Sequence, residues 1–165
     1  MSDFLVTLLW ASGAAAAALF LASGGAAKFG TIAGAVTSLG IVTGLVGTNF
    51  VLVMLVLAAR IPLLDRTIGH DRAVALHRRL GKPALYLILA HAGLLLIGYG
   101  LTEGLNPVAE IGSLWAIGDM PLAFIGLGLM VLVVVSSLIA VRRKLSYEVW
   151  HVIHLLSYVS VAVAI

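Results

Sequence analysis

The sequence predicts an all-α, polytopic membrane helix bundle, and three observations carry that prediction. Five long stretches without Asp, Glu, Lys or Arg occupy 114 of the 165 residues. Charged residues make up only 10% of the chain, where a soluble domain carries roughly a quarter. The uncharged stretches also come in lengths that suit a bilayer, about 20 residues for a spanning helix, with short polar joints between them. A soluble enzyme, a nucleic-acid binder and a disordered chain are excluded, and the direct partner of the surface is membrane lipid.

The first uncharged run is Phe4–Ala27, rich in Ala and Gly, which suits close helix packing. Its n-region carries only Asp3 and the terminal amine, and its apolar run exceeds the h-region of a signal peptide, so it reads as a retained helix. The second run, Phe29–Ala59, holds Gly40 and Gly44 at small-xxx-small spacing, with Gly47 after them; such spacing lets helix backbones approach closely in lipid. The third run, Pro83–Thr102, follows a basic segment in which Ala73, Leu76 and Leu80 recur at helical spacing. The third helix is therefore expected to begin near Arg72 and to contain Pro83. Asn106-Pro107 and Met120-Pro121 bracket the next joint, where Trp115 suits a membrane interface. The fourth run is Met120–Val141 and the fifth Val149–Ile165, the latter preceded by Ser146 as N-cap and Glu148 in the first turn.

Basic residues give the threading. Arg60, Arg66, Arg72, Arg78, Arg79 and Lys82 lie between the second and third runs, and Arg142, Arg143 and Lys144 between the fourth and fifth. The joint between the third and fourth has Glu103, Glu110 and Asp119 instead, which read as a solvated outer surface. Short basic joints stay cytoplasmic, so the N-terminus is expected inside and Ile165 near the outer face.

The chain has no cysteine, which removes disulfides, thiolate zinc sites, Cys-ligated iron–sulfur clusters and covalently attached haem. It has five histidines, His70, His77, His91, His151 and His154. His91 lies inside an apolar run, and intramembrane ionisable groups mark pathways or ligands. His77 precedes it by 14 residues, within roughly 40° of four full turns, so the two rings leave nearly one helix face about 21 Å apart. His154 sits about two turns into the fifth helix, which runs parallel to the third, so it shares a depth with His77. Two opposed imidazoles suit a six-coordinate haem iron. Interhelical hydrogen bonding and another metal or proton role are the alternatives on spacing alone. His151 and His154 also form a His-x-x-His pair with no third ligand at suitable depth, and His70 reads as solvent-exposed.

At these residues the sequence resembles the ferric reductase-like transmembrane domain family, which includes ferric reductases, NADPH oxidases and the haem subunit of a methionine sulfoxide reductase system. The resemblance rests on Arg60-Ile-Pro-Leu-Leu-Asp-Arg66, Gly69-His-Asp-Arg72, His77-Arg-Arg-Leu-Gly81, His91 and Tyr147-Glu-Val-Trp-His-Val-Ile-His154-Leu-Leu-Ser-Tyr158. It is nearest to bacterial members with a ferredoxin-reductase-like flavin module. It implies two b-type haems, His77 and His154 holding the inner one and His91 contributing to the outer one. The outer haem's other ligand would fall near position 167, beyond Ile165. Residues 1–165 are then a C-terminally truncated haem-binding domain, with five of an expected six transmembrane helices and one complete site. Electrons would come from a cytoplasmic flavin dehydrogenase domain or subunit carrying FAD and oxidising NAD(P)H, and would leave to ferric chelate or oxygen across the membrane. Arg78, Arg79, Arg143 and Lys144 are candidates for the haem propionates or plain cytoplasmic anchors; Trp150 and Tyr158 suit an interfacial belt or core role more than contact with porphyrin. Two rival readings are a haem subunit feeding a periplasmic partner reductase and a haem-free transporter or assembly subunit.

Overall fold

A chain written as long uncharged runs can satisfy its backbone in lipid by closing hydrogen bonds within each segment, as an α-helix does. The computed structural model describes residues 2–137 and 144–164, without the side chains of residues 2–5 and 64–65, and it is helical accordingly. In order come α1 (Ser2–Ala22), a 3-10 helix (Gly25–Gly30), α2 (Ile32–Ala58), α3 (Pro62–Thr67), α4 (His70–Glu103), α5 (Pro107–Trp115), α6 (Met120–Ser137) and α7 (Tyr147–Ala164). Among the described residues α2, α4, α6 and α7 are long and apolar enough to cross a membrane, and α1 adds the apolar stretch Val6–Ala22. Each of the five expected spans thus has its helix. The end of the fourth run, with Arg142 and Arg143 after it, lies outside the described residues.

Local chemistry explains the boundaries. Thr31 caps α2, its hydroxyl accepting from the Gly34 amide at 3.1 Å. The third helix begins at His70, two residues before the expected start, and carries Pro83 inside it. At 34 residues it is about 51 Å long, while a hydrocarbon core of ~30 Å takes only ~20 residues. Its basic first turns therefore extend past the apolar span. Gly104 ends the helix with φ 73°, a left-handed conformation that costs glycine little. Ser146 caps α7 as expected, accepting from the Val149 amide at 3.4 Å through its hydroxyl.

The helices form two compact units, residues 1–106 and 107–165. In the first, α2 and α4 pack antiparallel through small residues. A Cβ on Gly40 would come 2.9 Å from Leu95 and 3.2 Å from Leu94, and one on Gly47 would come 2.9 Å from Ile88. Gly98 on α4 returns the arrangement, its face filled by Thr37 of α2. The glycines expected to serve packing do so. Helix α1 joins α2 through Asn49, whose side-chain amide donates to the Leu9 carbonyl at 3.1 Å while its oxygen lies 3.1 Å from the Ser12 hydroxyl. Trp10 meets Phe50 edge to face at 5.5 Å.

In the second unit α6 and α7 pack at Gly126, where a Cβ would come 2.7 Å from that of Ala164. The buried Ser160 hydroxyl donates to the Gly126 carbonyl at 2.7 Å. Trp115, at the end of α5, stacks on Phe124 of α6. One expectation is corrected here: Glu110 is not on a solvated surface but fully buried. It lies one turn from buried Leu114 on α5, and residues four apart share a helix face. Large apolar side chains point outward elsewhere, Ile32 at 80% and Leu19 at 71% exposed, as helix faces meeting acyl chains require.

Candidate functional site

The long helix α4 carries His77 and His91, and both are half-buried. The His91 Nδ1 lies 2.8 Å from the Gly40 carbonyl, and the His77 Nδ1 lies 3.1 Å from the Met54 carbonyl. A carbonyl oxygen only accepts. Each Nδ1 therefore carries a proton and donates it, the tautomer that leaves Nε2 as the ligating nitrogen. Both rings engage α2, which bears out the shared face expected from their spacing.

The two contacts repeat one arrangement. The histidines are 14 residues apart on α4, and the carbonyls they meet are 14 residues apart on antiparallel α2. One helical turn after each carbonyl stands a small residue, Gly44 after Gly40 and Ala58 after Met54. Helical side chains lean toward the N-terminus, so a larger residue there would cover the carbonyl. At Gly44 the fit is tight, since an added Cβ would overlap the His91 ring at Nδ1 and come 2.7 Å from Cε1. Beside His91 opens a groove of about 430 Å³ whose lining includes Ala16, Gly44, Thr48, Asn49 and Leu52.

His154 belongs to the second unit, on α7. Its Nδ1 lies 3.1 Å from the Ser137 hydroxyl oxygen, at the end of α6. Ser137 has one hydroxyl proton, which it gives to the Val133 carbonyl at the shorter distance of 2.8 Å. The indole N–H of Trp150 donates to the same Ser137 oxygen at 3.2 Å. With its proton on Val133, that oxygen accepts from Trp150 and, in the Nδ1–H tautomer, from His154. Trp150 lies against the His154 ring, centroids 5.1 Å apart. Sequence reasoning did not identify Ser137, because no local pattern tells which residue of α6 meets the histidine of α7.

The remaining histidines are elsewhere. His70 is exposed, and His151 is exposed and stacked on Tyr147 at 5.8 Å. Arg78, Arg79 and Lys144 are exposed, and Arg143 is outside the described residues. Among the described residues no three His, Asp or Glu side chains gather into a metal site of their own. A haem would not need such a cluster, since individual histidines such as His77, His91 and His154 would hold it.

The donor set fits that group. Histidines that ligate metals commonly donate the other ring N–H to a carbonyl or a second polar side chain, which fixes tautomer and orientation, and all three histidines here place Nδ1 against such a partner. Comparison with curated proteins and with solved structures returned no match. The family model for the ferric reductase-like transmembrane component matches residues 43–165. The matched stretch contains Gly44, Ser137 and the three histidines, and leaves α1 and the start of α2 outside. Most of the chain thus matches a transmembrane component by sequence and forms the long apolar helices such a component requires, which points to electron transfer across a membrane: the chain belongs to the ferric reductase-like transmembrane component family.

Proposed function

We propose that this chain carries electrons across the membrane through b-type haem, with His77 and His154 as the ligands of one haem and His91 as a ligand of a second. The donor in this reading is a cytoplasmic flavin oxidising NAD(P)H on a further domain or partner subunit, and the acceptor, a ferric chelate or oxygen, lies on the opposite side. The observation that carries it is the common arrangement of the three imidazoles, each with Nδ1 held against a protein oxygen. When bound, a haem with two imidazole ligands supplies one-electron chemistry without an open position at iron.

The residues contribute orientation and environment. The carbonyls of Gly40 and Met54 hold the α4 rings, and the lone pairs of Ser137 hold His154. The surrounding Leu, Ile and Val side chains give a low dielectric. An absorption spectrum of the detergent-purified protein, oxidised and then reduced with dithionite, tests the reading. Sharp low-spin b-type bands with at least one haem per chain are expected; a haem-free protein after expression with ample haem overturns it.

In the same reading the N-terminus and the basic joints face the cytoplasm. The chain lacks cysteine, so a single introduced thiol reports its side. Leu105→Cys should react with a membrane-impermeant maleimide in intact cells, and Arg72→Cys only after permeabilisation. The reverse pattern overturns the orientation.

A further inference from the structure

Three histidines share an arrangement but not the means of holding it. His77 and His91 donate to backbone carbonyls, which no side-chain substitution removes directly. His154 meets a hydroxyl, a partner that a side-chain substitution can remove. We infer that Ser137 is the positioning residue for His154: it holds the Nδ1 proton and the ring's rotation, and thereby presents Nε2 as the ligand. This inference rests on the haem reading for its consequence, although the hydrogen bond itself does not.

Ser137 acts as an acceptor because its own proton is committed. The hydroxyl donates to Val133 at 2.8 Å, receives from Trp150 at 3.2 Å and lies 3.1 Å from the His154 Nδ1. One donor and two acceptor positions are the whole capacity of a hydroxyl, and with its proton on Val133 the Ser137 oxygen accepts from Trp150 and, in the Nδ1–H tautomer, from His154. Trp150 adds a second constraint, since its ring packs against His154 while its N–H is tied to the same oxygen. The hydroxyl therefore fixes both the tautomer and the plane of the ring, and its neutrality leaves His154 without the added negative character that a carboxylate partner would give.

Neighbouring Ser136 supplies the control. It is buried, and its hydroxyl donates to the same Val133 carbonyl at 2.8 Å. A substitution there removes a hydroxyl from the same turn of α6 while leaving the Ser137 hydroxyl against His154. Ser137→Ala is expected to weaken haem retention about 10- to 100-fold, the usual consequence of losing such a partner, while Ser136→Ala and Ser137→Thr keep it near the parent value. Ser137→Asp, a stronger acceptor, should retain haem and lower its reduction potential. Haem dissociation to apomyoglobin and redox titration read these outcomes. Parent-like retention and potential in Ser137→Ala, with haem bound to the parent protein, overturns the inference and leaves the haem reading standing. If the parent protein binds no haem, the haem reading fails, and 15N NMR of the imidazoles decides the role of Ser137. A His154 proton held on Nδ1 in the parent and shared between both nitrogens in Ser137→Ala supports it; unchanged tautomers overturn it.

Discussion

Gly44→Ala is expected to destabilise the α2–α4 pair by about 1–3 kcal/mol, the range for overpacking a close interface. The added methyl group would occupy the space of the His91 imidazole, overlapping Nδ1 and lying 2.7 Å from Cε1. Either the helices separate or the ring swings away and gives up its 2.8 Å bond to Gly40, itself worth about 0.5–1.5 kcal/mol. A helix propensity gain of about 1 kcal/mol from glycine to alanine opposes this and does not cancel it. Gly93→Ala isolates that gain, because nothing lies within 4 Å of a Cβ there, and it should be neutral or slightly stabilising. The specific signature is coupling. In a His91→Ala background the methyl group at Gly44 meets no ring, so the double variant should unfold at a higher temperature than the sum of the single effects. Circular dichroism melts in detergent measure this, and strict additivity would show that Gly44 does not seat His91.

His154→Ala and His77→Ala are each expected to remove the same low-spin haem signal, and the double variant should lose no more than either single one. A six-coordinate iron with two imidazoles loses its low-spin character when either is withdrawn, so the effect is all or none at that site. His91→Ala should leave that signal in place. Helical content and membrane insertion should persist in all three, since the packing of α2 on α4 and of α6 on α7 rests mainly on glycine contacts. Spectra of reduced membranes, normalised to protein, read the result. Full haem retention in His154→Ala removes that residue from the ligand set, and loss of the same signal in His91→Ala breaks the proposed pairing.

Much of this architecture was legible before any coordinates. A charge at the middle of a membrane helix costs about 2.5–3.5 kcal/mol on insertion scales, so uncharged runs mark spans with little ambiguity. Caps such as Ser146 were also accessible, because they depend on residues within one turn of each other. The two α4 histidines were placed on one face by helical periodicity alone. Glu110 was misread as solvated because charge was weighed without its neighbour four residues on, Leu114, which shares its buried face.

What the partners of the histidines would be could not be read in the same way. Gly40, Met54 and Ser137 are chosen by the register of one helix against another, and in lipid the apolar side chains around them are nearly equivalent, so no hydrophobic stripe announces which face turns inward. The chain's own letters determine the helices, their order and which residues can bind a metal. Packing decides which backbone oxygen or hydroxyl each imidazole meets, and so which of its nitrogens keeps the lone pair, because a hydrogen bond tolerates only a few tenths of an ångström while sequence spacing constrains a face to within tens of degrees.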